Sequence, residues 1–114
     1  MSLEHVLKIL KRSGFAPIEA KVYVYLAKIG PQRATEIAHG LGIPKQRLSP
    51  ILNSLLEKGA VVSNSKSITQ FSALSIEKVI DIQVKKTVNQ ANSIKKAKEE
   101  LLASWRSMET QENT

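Results

Sequence analysis

A chain of 114 residues has room for one small domain and an extension, with no second core expected in which a ligand domain could sit. It has no cysteine, which excludes disulfides and a thiolate zinc site, and its formal charge of +7 favours a polyanionic partner. No apolar run approaches the ~20 residues that span a bilayer, and the opening MSLEHVLKIL has neither a charged leader nor a small-residue cleavage site, so a cytoplasmic protein is expected.

Leu3, Val6, Leu7 and Leu10 recur at i, i+3, i+4 and i+7, which predicts an amphipathic first helix ended by Gly14, with Phe15 anchoring the corner. Pro17 suits the first turn of a second helix, where its missing N–H has no partner anyway, and Glu19 follows where negative charge is favoured. Ile18, Val22, Leu26 and Ile29 are its expected buried face, closed by Gly30 and Pro31. Gln32–Ala34 reads as short and extended, and Thr35 as the hydroxyl cap of a third helix.

Residues 35–55, TEIAHGLGIPKQRLSPILNSL, carry the most information. Two short helices that cross steeply need a small residue where they touch, here Ala38. They need a corner residue that accepts positive φ, here Gly42. Ile37, Leu41, Ile43, Leu48, Ile51 and Leu52 close the corner in register. The pattern is that of a helix-turn-helix with residues 44–58 as the recognition helix. The plainer alternative is a helical corner that only builds core.

Gly59 stops this helix. Residues 60–63 and 68–73 are rich in β-branched and aromatic residues and flank the polar turn 64–67, which predicts a β-hairpin with Lys66 near its tip. The fold class is therefore mainly α, an α+β winged helix-turn-helix over residues 1–75. Ser75 is the expected cap of one long helix over 76–108, followed by a polar, disordered tail over 109–114. The long helix carries Ile80, Val84, Thr87, Ala91, Ile94, Lys98, Leu101, Trp105 and Met108 at alternating steps of four and three, a heptad stripe. At ~1.5 Å per residue it measures ~45–50 Å. Homodimerisation is expected through Ile80, Val84, Ala91, Ile94, Leu101, Trp105 and Met108, although Thr87 and Lys98 break the seam. Packing along the chain's own domain, and pairing through Leu3, Leu7 and Leu10, are the alternatives. Lys98 would reach Glu99 or Glu100 of an antiparallel partner only if the helices cross near residue 98; parallel helices would set two lysines face to face.

Gly14-Phe15, Pro17, Glu19-Ala20-Lys21-Val22-Tyr23 and Leu26, followed by Gly42-Ile43-Pro44-Lys45, Arg47, Leu52, Leu55 and Glu57-Lys58-Gly59, resemble the TrmB-like archaeal transcription regulators over about residues 1–75. The resemblance implies a winged-helix DNA-binding domain, often dimeric. Larger members carry a C-terminal sugar-binding domain for which this chain has no length, so the expectation is a single-domain form without a small-molecule ligand. Its layout is similar to that of small archaeal chromatin-associated proteins. Ser49 stands where that family has an aromatic and Pro50 where it has a polar residue; Pro50 denies the Gln46 carbonyl its helical donor, at ~3 kcal/mol.

Through Ser75 there are ten Lys and Arg against four Asp and Glu, and from Ile76 onward seven against six, so the positive excess accompanies the helix-turn-helix. Gln46, Arg47 and Asn53 are the candidate base readers, because Arg forks onto guanine O6 and N7 while Gln and Asn pair with adenine N6 and N7. Ser49 shares their face. Lys45, Arg33, the helix start at Thr35, and Lys66 are candidate phosphate contacts. His5 and His39 have no metal-ligand spacing, and no nucleophile triad or Gly-rich phosphate loop is present, so neither enzyme activity nor a cofactor is expected. The expected function is double-stranded DNA binding by a nucleoid-associated homodimer, as a transcription regulator or chromatin protein. The alternative is a winged-helix protein-interaction module that binds no nucleic acid.

Overall fold

The computed structural model describes residues 3–64 and 68–112. Its elements in chain order are α1 (Leu3–Arg12), α2 (Pro17–Ile29), α3 (Ala34–Leu41), α4 (Lys45–Glu57), β1 (Val61–Asn64), β2 (Gln70–Ala73) and α5 (Ile76–Glu112). The chain divides into two compact units, Met1–Gln83 and Val84–Thr114. No helix among the described residues is long and apolar enough to cross a membrane.

The first unit is an α+β winged helix, as its residue pattern predicts. β1 and β2 pair antiparallel, with Val61 opposite Ala73 and Asn64 opposite Gln70. β1 is shifted one residue along from the expected 60–63, and β2 is shorter than the expected 68–73. Ala60 still serves the end of α4, its N–H reaching the Leu55 carbonyl at 3.0 Å. The extended segment after α2 adds one more rung: Gln32 N–H donates to Phe71 O at 3.0 Å, and Phe71 N–H returns to Gln32 O at 2.7 Å. The expected wing-tip residue Lys66 lies outside the described residues.

Leu10, Phe15, Val22, Leu26, Ile37, Leu48, Leu55 and Val61 form the core that joins α1–α4 to the hairpin. The buried face of α2 is rotated from the expected stripe. Ile29 is exposed, and Glu19, Ala20 and Tyr23 are buried beside Val22 and Leu26. The rotation is possible because both polar side chains find partners inside. The Tyr23 hydroxyl donates to Leu74 O at 2.6 Å, tying α2 to the segment between β2 and α5. Burial raises the Tyr23 pKa above its ordinary value.

Ser75 does cap α5: its hydroxyl accepts the Lys78 N–H at 3.4 Å. Val79 is fully buried and Ile80 half-buried against the core of the first unit, so Ile80 is shared with that packing. The helix continues to Glu112 instead of ending at 108, and residues 109–112 are helical where a disordered tail was expected. Local pairs hold those last turns: Trp105 Nε1 donates to Glu109 Oε1 at 2.7 Å, and Thr110 Oγ1 donates to Arg106 O at 2.9 Å.

In the second unit the helix is exposed on all sides among its described side chains. Val84, Ile94, Leu101, Trp105 and Met108 are among its large apolar side chains in water.

Candidate nucleic-acid interface

Two helices and one left-handed glycine build the site. Gly42 has φ 64° and ψ 33°, the region that a side chain makes costly, and closes α3. Its N–H reaches His39 O at 3.3 Å, and the next N–H, of Ile43, reaches Ala38 O at 3.0 Å. Pro44 then fixes the entry to α4, its carbonyl accepting the N–H groups of Arg47 and Leu48 at 2.9 and 3.0 Å. Ala38, Leu41 and Ile43 pack half-buried in this corner, as their spacing predicts.

Helix α4 has two faces of different chemistry. Leu48, Leu52 and Leu55 are buried, with Ile51 half-buried beside them. Lys45, Gln46, Arg47, Ser49, Pro50 and Asn53 are exposed. No acidic residue occurs from Lys45 to Leu56. The helix is continuous through Pro50, which stands on the exposed side. No side chain caps its start, so Lys45 lies beside amide groups that can meet an anion. The Ser49 hydroxyl donates to the Lys45 carbonyl at 3.3 Å.

The start of α3 differs from expectation. Thr35 is an exposed residue within the helix, and Arg33 occupies the cap position. Arg33 is tied to the first turn: Glu36 Oε1 accepts its N–H at 3.0 Å and its Nε at 3.1 Å. Those bonds, the backbone one foremost, hold the Glu36 carboxyl below its ordinary pKa. The carboxylate therefore occupies the amide and part of the guanidinium that a phosphate would use, and α3 is a weaker anion site than α4.

In the sequence Glu19 stands out only as a charge near a helix start and Lys58 only as part of a stop. Both support α4 from beneath. Glu19 Oε1 accepts the Ala16 N–H and a Lys58 Nζ hydrogen bond, each at 2.7 Å, and Glu19 Oε2 accepts the Ser54 hydroxyl. Lys58 Nζ also donates to Gly14 O at 2.9 Å and lies 5.2 Å from the Phe15 ring centroid. Gln83 Nε2 donates to the Lys58 carbonyl at 3.3 Å. Burial alone would raise the Glu19 pKa, but the bonds from Lys58, Ser54 and Ala16 outweigh it and hold the carboxyl below its ordinary value. The signal that could have found this network was the pairing of the Gly-Phe, Glu-Ala and Glu-Lys-Gly motifs, whose residues meet here.

Among the described residues no group of three or more His, Cys, Asp or Glu is placed to hold a metal ion.

The family model for the sugar-specific transcriptional regulator TrmB matches residues 10–77, which include the whole of this helix-turn-helix and hairpin and every member of the network except Gln83. The chain belongs to the TrmB family. It is similar to the HTH-type sugar sensing transcriptional regulator TrmBL1 of Pyrococcus furiosus, 30% identical over 98 residues, covering 86% of this chain and 29% of that protein. The chain thus spans under a third of that relative's length. Its fold is similar to that of TrmBL2, an archaeal chromatin protein, with TM-score 0.71 and 24% identity, covering 89% of this chain and 41% of that one. A transcriptional regulator of Thermotoga maritima, Tm0710, shares the fold at TM-score 0.56 and 17% identity, over 94% and 84% of the two chains. In this TrmB-family chain the family motifs are therefore a structural unit: they form the corner, the buried base of α4 and the ion pair that holds it.

Proposed function

We propose that this chain binds double-stranded DNA through α4 and acts as a homodimeric transcription regulator or chromatin protein at the nucleoid. The observation that carries the reading is the polarity of α4: Leu48, Leu52 and Leu55 are buried while Lys45, Gln46, Arg47, Ser49 and Asn53 are exposed, with no acidic residue on the helix before Glu57. Arg47, Gln46 and Asn53 read base edges from the major groove, and Lys45 holds phosphate. Arg33 and Thr35 contribute less, because Glu36 competes for the same anion-binding groups. Lys66, which falls between the two strands in the sequence, is the further candidate for a phosphate contact. Membership of the TrmB family supports the DNA reading, and so does the basic excess through Ser75. The sugar sensing in the name of TrmBL1 belongs to that protein, of which the match covers 29%.

The apolar stripe of α5 supports the homodimer. Val84, Ala91, Ile94, Leu101, Trp105 and Met108 recur at heptad spacing and are exposed in the single chain. Ile80 contributes at the edge of that surface.

Titrating duplex DNA at two salt concentrations tests the function. Neutralising Z phosphates gives a slope near −0.9Z in log K against log[salt], and a dimer of basic domains is expected between about −4 and −8. Absence of duplex binding at ~50 mM salt overturns the reading in favour of a protein-interaction module. Genome-wide footprinting then separates a regulator, with few discrete sites, from a chromatin protein with broad coverage.

A further inference from the structure

Charge is segregated along α5. Residues 84–98 contain five lysines and no acidic residue, whereas residues 99–112 contain four glutamates and one arginine. The sign changes between Lys98 and Glu99, within the stretch from Ile94 to Leu101, which are 70% and 66% exposed. Because the helix runs to Glu112, Glu109 is part of it, and its Oε1 accepts the Trp105 Nε1 hydrogen bond at 2.7 Å.

We propose that α5 pairs antiparallel with α5 of a second copy, crossing between Lys98 and Leu101, so that the lysine half of each helix lies along the glutamate half of the other. This rests on the homodimer proposed above and adds its direction and register. Charges near a helical seam select partner orientation. A parallel pair would set each of the five lysines level with its own copy, whereas the antiparallel register sets Glu99 level with Glu100 of the second copy but brings Lys95 and Lys98 within a turn of those glutamates. Side-chain size selects the same arrangement. With the crossing between residues 98 and 101, Ala91 faces Met108 and Ile94 faces Trp105 of the second copy. A parallel pair would face Ala91 with Ala91 and Trp105 with Trp105, a gap at one layer and crowding at another. Lys98 then lies near the glutamates of the other copy and across from Leu101 rather than from a second Lys98.

The absence of native cysteine makes disulfide mapping clean. Ala91→Cys and Met108→Cys are prepared separately in the full chain, both positions being exposed in the single chain. Wild-type sedimentation at tens of micromolar comes first. A dimer is expected, and a monomer overturns the proposal without touching the DNA titration. After subunit exchange and mild oxidation, the equimolar mixture is expected to give the mixed 91–108 disulfide in at least tenfold excess over either variant alone, since a disulfide requires Cα atoms within ~7 Å. Self-crosslinking of Ala91→Cys overturns the direction, and so does a dimer in which neither the variants nor the mixture crosslink. Glu99→Lys with Glu100→Lys is expected to weaken the dimer at least tenfold at low salt, and adding Lys95→Glu with Lys96→Glu to restore it. Unchanged dimerisation in the first variant overturns the electrostatic basis.

Discussion

The Lys58 ammonium lies 2.7 Å from the Glu19 carboxylate, joining the C-terminal cap of α4 to the first turn of α2 across a Glu19 side chain only 7% exposed. The pair fixes the recognition helix at the end away from Lys45. Its lysine is 28% exposed, so water moderates the attraction, and the buried carboxylate is the costly partner to leave alone.

Lys58→Met removes that partner and leaves Glu19 with Ser54 and the Ala16 N–H. A loss of about 2–3 kcal/mol is expected, below the full figure for a wholly buried pair. The variant should also raise the Glu19 pKa. Urea midpoints at neutral pH measure the loss; a change under about 0.5 kcal/mol, the range of ordinary surface substitutions, would show that the ion pair does not hold the helix.

Stability should also fall in acid through the same residue. The Glu19 pKa is lowered in the folded chain, so its contribution is complete above the unfolded value of about 4.3 and is lost as pH drops through the folded value. Glu19→Gln should reduce stability at neutral pH and flatten the acid limb of a stability–pH curve. An acid limb as steep as that of the wild type would assign the dependence to other carboxylates.

Gly40 lies inside α3, where alanine ordinarily stabilises by about 1 kcal/mol. Here a Cβ would stand 2.7 Å from Tyr25 Cζ and closer still to its hydroxyl. Gly40→Ala is expected to destabilise by about 1 kcal/mol with Tyr25 present and to stabilise in a Tyr25→Ala background. Thermal unfolding of the four chains in this cycle checks the coupling, and additive effects would contradict it.

Pro50 interrupts the hydrogen-bond ladder of α4 while contributing an exposed side chain. Pro50→Ala returns a donor to the Gln46 carbonyl. A gain of about 1–2 kcal/mol is expected, less than the ~3 kcal/mol penalty of an interior proline because proline also restricts the unfolded chain. Chemical denaturation decides it, and a loss of stability would mean that the turn is built around the proline.

Arg47→Ala should cost about 1–3 kcal/mol at a preferred DNA site and relax base preference there, whereas Lys45→Ala should weaken all sequences alike and reduce the salt slope by about 1. Selection from randomised duplexes with each variant separates the two. A uniform loss with Arg47→Ala would reassign Arg47 to phosphate.

Hydrophobic spacing together with Gly, Pro and hydroxyl residues at the boundaries determined the order of elements, the corner at Gly42, the inward leucines of α4 and the cap at Ser75, because each depends on residues within a turn or two of one another. Ile29 and the ends of the strands depart from expectation for a related reason. A helical stripe gives the direction of an apolar face to within one residue, and α2 turns until Glu19 and Tyr23, rather than Ile29, enter the core. Only tertiary structure decided that turn. Ser54 and Lys58 lie 35 and 39 positions from Glu19, and Leu74 lies 51 from Tyr23. A buried carboxylate or hydroxyl is tolerable only once such distant partners arrive, so the sequence supplied the groups while the packing determined which of them would meet.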